Sequence, residues 1–229
     1  MNKVYISRLA DNRIKEYFAG LGKGVLKVVS LEPRANIDPS IACHPDIYMC
    51  HLSPKGAPGR ENDKNGQNLV FHGDPARLTH DYPGHAIYNG CSTGKYFIHN
   101  LKITDKDLLA AVDQLSLTKV HVSQGYTKCS CVVVDENSII TADRGIAKAA
   151  TAAGIDVLLI ENGQVILEGY PYGFIGGASG KIGDTIIFNG DLSAHSDYLA
   201  IKDFIGSRGL KIKYFKEYPL TDIGSIIVE

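Results

Sequence analysis

A repeated hexapeptide constrains the fold of this chain more than any other feature of its sequence. Residues 186–191 (Ile-Ile-Phe-Asn-Gly-Asp) closely copy residues 69–74 (Leu-Val-Phe-His-Gly-Asp). In each copy an apolar run typical of a β-strand ends at a glycine, and the aspartate that follows is a residue type that commonly caps a helix. Repeats of this kind are typical of proteins built from several similar structural units.

The order strand, strand, helix, strand recurs along the chain and predicts five such units, which we call modules. A capping residue marks the predicted helix start in each module: Asp11, Asp74, Thr104 or Asp105, Asp143 and Asp191. The predicted modules cover residues 1–33 together with 220–229, 41–88, 90–123, 128–168 and 173–217. Because they account for nearly all of the chain, we predict a single domain.

The two ends of the chain complement each other. The first module lacks an opening strand, whereas residues 223–229 form a strand-like run with no hairpin partner after it. We therefore predict that this run pairs with the strand at Val4, which would close a ring and remove exposed sheet edges. The predicted fold class is α/β, with five pseudo-symmetric ββαβ modules closed into an α/β propeller. An open α/β sheet is the alternative.

Several local elements are predicted from strand and turn signals. We expect an extended run over residues 41–50, a surface loop over 53–67 and a closing strand over 85–88. The dipeptide Asn162-Gly163 predicts a hairpin between the apolar runs on either side of it.

Composition excludes several classes of partner. The formal net charge of -1 over 229 residues gives no electrostatic basis for binding nucleic acid or an anionic membrane. No apolar run reaches the about 20 residues that a membrane span needs, and the first residues do not have the pattern of a signal peptide. Five cysteines, an odd number, favour reduced thiols over a disulfide framework. We therefore expect a cytoplasmic protein.

The predicted organisation resembles the pentein fold of guanidine-group modifying enzymes, which include arginine and agmatine deiminases, dimethylarginine hydrolases and amidinotransferases. His44-Pro45-Asp46 is similar to the His-x-Asp element of that family, although in the deiminases this element falls in a later module. Residues 224–228 are similar to its C-terminal segment, but Val228 stands where the nucleophilic cysteine is expected, and valine cannot form a covalent intermediate. Because non-catalytic penteins exist, including a ribosome-binding translation factor, the resemblance leaves enzyme status open.

Three cysteines occupy comparable places near the starts of the opening strands. If the modules are equivalent, Cys43, Cys91 and Cys129 would face a common cavity together with His44. Such a cluster would suit a soft metal such as zinc, or a nucleophilic thiol activated by His44 or Lys128. Alternatively, the cysteines are small buried hydrophobic residues. No pair has the local Cys-x-x-Cys spacing of strong zinc sites, so we predict no metal.

The residues proposed to carry chemistry follow from these placements. On an extended strand His44 and Asp46 would share a face, where they could act as proton shuttle and substrate clamp, and Cys129 and Cys131 would likewise share a face. The candidate catalytic residues are His44, Asp46, Cys91 and Cys129, and the candidate ligand-binding residues are Cys43, Lys128 and Ser179.

Two further polar features are given structural explanations. The glycine-rich segments 90–95 and 176–181 lack the spacing of a phosphate-binding loop and precede strands, so no cofactor is predicted. His195 is expected at the surface. The favoured function is a small-ligand or partner-binding protein without standard deiminase chemistry. The alternative is a thiol-dependent hydrolase or transferase acting on a guanidino or amidino compound.

Overall fold

The computed structural model describes residues 2–21, 26–33, 36–52 and 69–229. Within these residues the chain has a mixed α/β fold, with six α-helices and fourteen strands in five small sheets. Four of the described sheets have three strands and the fifth has two. The predicted α/β class is confirmed. The surface loop predicted over residues 53–67 lies outside the described residues.

The first sheet combines the two ends of the sequence, as predicted. Strand β1 (Asn2–Ser7) pairs in parallel with β2 (Leu26–Leu31) and antiparallel with β14 (Ile227–Val228). Helix α1 (Asn12–Gly20) makes the crossover between the parallel strands, and Asp11 caps it by accepting a backbone N–H of the first turn. The predicted pairing of the last strand with the first is therefore confirmed.

Side chains reinforce the junction between β1 and β14. Val4 lies opposite Val228 in the register, and both side chains are buried. Glu229 accepts hydrogen bonds from Lys3 Nζ at 2.6 Å and from the Tyr5 hydroxyl at 2.7 Å. The pairing fixes the segment that leads into β14, and this segment carries part of the site described below.

Three further sheets repeat this arrangement. In each, an antiparallel pair is followed by a parallel strand that the chain reaches through a helix, because a parallel connection needs a crossover. The first contains β5 (Cys91–Ser92), β6 (Tyr96–His99), α3 (Lys106–Gln114) and β7 (Thr118–His121). The second contains β8 (Cys131–Asp135), β9 (Ser138–Thr141), α5 (Arg144–Ala152) and β10 (Asp156–Leu159). The third contains β11 (Ser179–Ile182), β12 (Thr185–Phe188), α6 (Tyr198–Gly206) and β13 (Lys211–Lys213).

The remaining sheet departs from the pattern. It consists of the antiparallel strands β3 (Met49–Leu52) and β4 (Leu69–His72), which are followed by a single 3-10 turn at Pro75–Arg77. The closing strand predicted over residues 85–88 is wrong, because this segment folds into successive turns. Its backbone groups bond locally there: the N–H of Ala86 donates to the carbonyl of Pro83 at 2.9 Å.

Two short helices precede opening strands where an extended chain was expected. Helix α2 (Pro45–Tyr48) leads directly into β3, and α4 (Thr127–Ser130) leads directly into β8. Proline is well suited to the first helical position because its missing N–H would have no partner there. The predicted extended run over residues 41–50 is therefore confirmed only at Met49 and Cys50, the start of β3, and is wrong over residues 41–48, which form a turn and α2. His44 and Asp46 do not share a strand face, and neither do Cys129 and Cys131.

The hairpin predicted at Asn162-Gly163 is also wrong. Strand β10 pairs in parallel with β9, and the chain after the turn crosses to a different region. There Ile166 forms an isolated parallel bridge with Thr221, and its backbone N–H donates to the carbonyl of Leu220 at 2.9 Å. A long-range contact has replaced the local pairing that the turn dipeptide favours.

The glycine of the repeated hexapeptide is required by close packing in both copies. A Cβ at Gly73 would overlap the ring of Tyr88, and a Cβ at Gly190 would overlap the backbone of Pro219. The aspartates that follow, Asp74 and Asp191, each cap a 3-10 turn by accepting the backbone N–H two residues ahead. In both copies, the repeat therefore marks the end of a strand and the start of a closely packed turn.

Each long helix packs an apolar face against its sheet. Ile14 and Phe18 of α1, and Leu108 and Val112 of α3, have no exposed surface. Among the described residues, no helix combines the length and the apolar character needed to cross a lipid bilayer.

Candidate functional site

Polar side chains from four distant segments are buried together where α2, α4 and the segment before β14 meet. Each is at most 4% exposed, which is unusual for such residues unless they are paired. We call this group the polar centre, and it consists of His44, Asp46, Asn89, Cys129, Asp222 and Ser225.

Asp46 connects the two sides of the polar centre. Its Oδ2 accepts hydrogen bonds from the Cys129 thiol, at 2.9 Å, and from the Ser225 hydroxyl, at 2.7 Å. Its Oδ1 is buried and has no hydrogen-bond partner. An unpaired buried acceptor costs about 1–3 kcal/mol, more when it is charged, so this oxygen marks a place where a ligand donor would be favourable.

Asn89 fixes the position of Cys129. Its Oδ1 accepts the backbone N–H groups of Lys128, at 2.9 Å, and of Cys129, at 3.2 Å. Because two donors define the oxygen side of the amide, Nδ2 faces the Cys129 sulfur at 3.4 Å and the Asp46 carbonyl at 3.2 Å. The amide therefore aligns α4 and supplies an N–H to the sulfur.

Asp222 is held by backbone donors beside the imidazole. Its two oxygens accept the N–H groups of Gly224 and Phe174, each at 2.9 Å, and Oδ1 lies 3.9 Å from His44 Nδ1. A side chain at position 177 would overlap this carboxylate, which explains Gly177. The carboxylate position is thus determined by the backbone around it.

Ser225 adopts a conformation that non-glycine residues rarely use. Its φ is +68°, in the left-handed region, where a side chain costs roughly 1–3 kcal/mol. The conformation directs the hydroxyl at Asp46, and Lys128 Nζ donates to that hydroxyl at 3.2 Å. Lys128 thereby places a half-buried ammonium group at the edge of the polar centre.

Burial dominates the electrostatics of these side chains. It raises the pKa of the Asp46 carboxyl and raises the pKa of Asp222 to about 6. It lowers the pKa of His44 to about 4, and burial followed by the charge of Asp46 raises the pKa of the Cys129 thiol well above its usual value. At neutral pH the imidazole and the thiol are therefore uncharged. Because burial disfavours the ionised form of the Asp46 carboxyl, a cationic ligand beside it would favour ionisation and lower its pKa again.

The structure brings together four of the residues predicted from sequence: His44, Asp46, Lys128 and Cys129. One donor atom from each of His44, Asp46 and Cys129 lies within 4.8 Å of the others. From the sequence, no functional role was predicted for Asn89, Asp222 or Ser225. A signal for Asp222 existed, because residues 218–224 echo residues 170–176 and carry an acid where the other copy has Phe174.

The other predicted site residues lie elsewhere. The Cys43 sulfur accepts a hydrogen bond from Arg8 Nε at 3.3 Å, and Cys91 hydrogen-bonds with the thiol of Cys131. The Ser179 hydroxyl donates to the carbonyl of Gly176 at 3.1 Å. In the described structure, Cys129 is the cysteine whose thiol bonds within the polar centre.

Aromatic rings form a wall next to the polar centre. Tyr126 stacks on His85 with 5.7 Å between ring centroids, contacts Tyr82 at 5.7 Å, and lies 6.4 Å from Phe174. The Tyr126 hydroxyl donates to His85 Nε2, since His85 Nδ1 faces a backbone carbonyl. Tyr82 is half exposed, whereas the backbone of Phe174 binds Asp222. The ring contacts therefore extend from the half-exposed Tyr82 to Phe174, the residue whose backbone binds Asp222.

His195, predicted at the surface, is buried. Its Nδ1 accepts the backbone N–H of Asp197 at 3.0 Å, and burial lowers its pKa. It lines a cavity of about 140 Å³ together with Ser130 and Asp143. The surface prediction failed because it was based on the polar residues around His195. The hydrogen bond from the Asp197 backbone, which holds the ring in its buried position, has no signal in the sequence.

Comparison with known proteins yields one family. Residues 9–227 match the family described as "Family of unknown function (DUF6873)", a range that includes every residue of the polar centre. No curated protein matches the chain.

Proposed function

We propose a ligand-binding function for this chain, which belongs to the DUF6873 family, and we derive it from the polar centre. The chain binds a small guanidinium or amidinium compound whose N–H groups reach the Asp46 carboxylate. The observation that carries this proposal is the buried Asp46 Oδ1, which has no hydrogen-bond partner.

The chemistry of the ligand follows from the groups that would contact it. A planar guanidinium or amidinium ion offers parallel N–H donors, which match the two oxygens of a carboxylate better than a point charge does. One such ion bonded to Asp46 Oδ1 would satisfy the unpaired acceptor and compensate the buried charge. Asp222 supplies a second carboxylate, whose Oδ1 lies 3.9 Å from Nδ1 of the His44 imidazole.

The aromatic wall supports a cationic ligand with an organic substituent. A cation near the faces of tyrosine rings is stabilised by about 0.5–2 kcal/mol, depending on how far it is desolvated. Tyr126 and Tyr82 contact each other at 5.7 Å between ring centroids, and Tyr82 is half exposed, so these rings offer faces to a cation that approaches the polar centre from this side. The proposal requires neither a nucleic acid nor a membrane partner.

The arrangement of the sheets supports the finer fold proposal. Four of the described sheets share one strand order, and the last strand of the sequence completes the first sheet. These facts favour a single domain of five modules closed into an α/β propeller that resembles the penteins, with four ββαβ modules and a reduced second module that keeps only its antiparallel pair. In such a ring the polar centre would lie near the axis, where the segments that precede opening strands converge.

A thiol-dependent hydrolase or transferase is the second candidate, and the position of Cys129 favours it. The sulfur lies 2.9 Å from Asp46 Oδ2, so a ligand bonded to Asp46 would present its central carbon near the sulfur. In this reaction the sulfur forms a bond to that carbon while the C=N π electrons move to nitrogen. The thiol proton passes, through Asp46 or His44, to the departing amine as its C–N bond breaks. Water then cleaves the S–C bond and restores the thiol.

Binding is tested by calorimetry with agmatine and arginine, and urea serves as the neutral control. We expect saturable binding of at least one of the two cations, no binding of urea, and loss of binding in Asp46→Asn. Equal weak heats for the cations and urea, unchanged in Asp46→Asn, would overturn the proposal.

The thiol reaction is tested with a matched pair of electrophiles, 2-chloroacetamidine and the neutral 2-chloroacetamide. If the centre recognises an amidinium group and presents Cys129 to it, the amidine labels Cys129 much faster than the amide. Mass spectrometry identifies the modified cysteine. Cation binding without preferential labelling of Cys129 would leave a binding protein and would exclude the thiol reaction.

A further inference from the structure

The three donor atoms grouped in the polar centre have the chemistry of a metal site. We infer that His44, Asp46 and Cys129 bind a divalent cation of the borderline-soft class, for which Zn²⁺ is the probe. This inference requires no guanidino or amidino ligand. Because Zn²⁺ on Asp46 Oδ1 would exclude a guanidinium at the same oxygen, the two ligands are alternatives, and Zn²⁺ uptake and agmatine binding are measured separately.

The donor set and its dimensions suit zinc. Zn²⁺ prefers thiolate, imidazole and carboxylate ligands at about 2.0–2.3 Å, which places neighbouring ligands roughly 3.3–3.8 Å apart around a tetrahedral ion. The three donor atoms lie within 4.8 Å of one another, so side-chain rotations that move these atoms by about 1 Å bring them to that spacing. Three protein ligands leave the fourth position for water or a small ligand.

A second observation indicates that a group is needed at this place. Asp46 Oδ1 is buried without a hydrogen-bond partner, although Oδ2 of the same carboxylate has two. An ion bound to Oδ1 leaves the Ser225 hydrogen bond to Oδ2 intact. The ligand that needs to change is Cys129, whose thiol proton is released to solvent as the sulfur turns to the metal.

Neighbouring groups supply the outer contacts that zinc ligands usually have. Asn89 Nδ2 lies 3.4 Å from the Cys129 sulfur and can donate to the thiolate. Asp222 Oδ1 lies 3.9 Å from His44 Nδ1, close enough for a small shift to form the carboxylate–histidine pair that orients a ligating imidazole. One thiolate and one carboxylate also balance the two charges of the ion, so the buried site becomes neutral.

No local sequence motif identifies this group of residues as a metal site. Strong zinc motifs contain two cysteines, or two histidines, a few residues apart. Here the only neighbouring pair of the three is His44 with Asp46, and the thiol comes from α4, in a different part of the sequence. Cys43 and Cys91, the other thiols predicted near His44, are not part of the group.

Metal binding is tested first on the unmodified protein. Titration with ZnCl₂ against a chromophoric chelator should show one ion per chain. Titration with Co²⁺ should give the intense visible bands of a tetrahedral site and a thiolate-to-cobalt charge-transfer band. Absence of stoichiometric Zn²⁺ uptake, or a cobalt spectrum without thiolate charge transfer, would overturn the inference without reference to any variant.

Variants then assign the ligands. Cys129→Ser, His44→Gln and Asp46→Asn should each weaken Zn²⁺ binding by roughly 100-fold, and Cys129→Ser should remove the charge-transfer band. The matched controls Cys131→Ser and Cys43→Ser, checked for folding by circular dichroism, should bind Zn²⁺ as the unmodified chain does. Equal affinity in Cys129→Ser, or loss in Cys131→Ser, would contradict the assignment.

Discussion

Cys129 and Cys131 are two residues apart and both are buried, yet their side chains lie in very different surroundings. The Cys129 thiol donates to Asp46 and faces the amide of Asn89. The Cys131 thiol faces Cys91 and packs with apolar residues such as Ile139. The cause is local: Cys129 belongs to the helical turn α4, whereas Cys131 begins strand β8.

This difference shows that burial alone does not give a cysteine a chemical role. The thiol of Cys131 hydrogen-bonds with Cys91 and Thr141, neither of which is a carboxylate that could hold a cationic ligand. The thiol of Cys129 contacts a carboxylate that has unused hydrogen-bonding capacity. Function at this site therefore depends on which polar groups converge, and the following predictions test that dependence.

The largest effect is expected when the charge of Asp46 is removed. Asp46→Asn keeps the shape and the acceptor for Ser225 but eliminates the buried carboxylate that distinguishes the surroundings of Cys129 from those of Cys131. Loss of one partner from a buried charge pair costs about 2–5 kcal/mol, so agmatine affinity should fall by roughly 100-fold or more. Calorimetry measures the affinity, and urea unfolding checks that the variant is folded under the conditions of the titration. Unchanged affinity would mean that Asp46 does not contact the ligand.

A smaller effect is expected when the polar centre is crowded. Gly177→Ala places a methyl group on the Asp222 carboxylate, which two backbone N–H groups hold in place. Overpacking of this kind should destabilise the protein by about 3 kcal/mol in urea unfolding. The control is Gly206→Ala at the end of α6, where a Cβ meets no atom within 4 Å, and alanine should be neutral or stabilising by up to about 1 kcal/mol. Equal effects of the two substitutions would show that Asp222 is free to move.

Replacing each thiol by a hydroxyl compares the two surroundings directly. In Cys129→Ser the hydroxyl can keep the hydrogen bond to Asp46, so stability should change by less than about 1 kcal/mol. In Cys131→Ser a hydroxyl enters an apolar region, which should cost about 2 kcal/mol. Chemical unfolding of both variants gives the comparison. A larger loss in Cys129→Ser than in Cys131→Ser would reverse our account of the two sites.

The sequence predicted the long-range features of the fold better than the local ones. Pairing of β14 with β1 was predicted because one strand had no partner and one module had no opening strand, a deduction that needs no local signal. The segments at residues 41–50 and 128–131 were predicted as extended because a helix of four residues is too short to show a periodic pattern. The Asn162-Gly163 hairpin failed because a tertiary bridge to Thr221 outweighed the turn preference.

The candidate site was predicted in part, and partly for a wrong reason. His44, Asp46 and Cys129 were selected as residues near opening strands, and they do converge, but from helical turns instead of one strand face. Asn89 could not be predicted, because a single asparagine in a turn has no sequence pattern. Its role depends on hydrogen bonds from the backbone of Lys128 and Cys129, which are distant in the sequence. Asp222 is comparable: its importance comes from contacts that only the folded chain creates.

The smallest effect is expected at Glu229, which lies outside both cysteine environments but secures the strand that follows Ser225. Although its partial burial opposes the shift, hydrogen bonds from Lys3, Tyr5 and His72 lower the pKa of Glu229 to about 2, from its ordinary value of 4.5. A lowered folded-state pKa stabilises the protein above the unfolded value and loses that effect as the pH falls from 4.5 toward 2. Because the cluster is partly exposed, the contribution should be about 1 kcal/mol or less.

Glu229→Gln should therefore reduce stability near neutral pH by this small amount, and the difference from the unmodified chain should shrink as the pH falls from 4.5 toward 2. Urea unfolding at several pH values measures the difference, and Glu168→Gln, at an exposed residue outside the strands, serves as the control. The variant also sharpens the comparison of the two cysteines. Loosening β14 disturbs Ser225 and thus the surroundings of Cys129, so alkylation of Cys129 should become faster while that of Cys131 stays unchanged. Equal acceleration at both would mean that β14 stabilises the whole core and not the polar centre in particular.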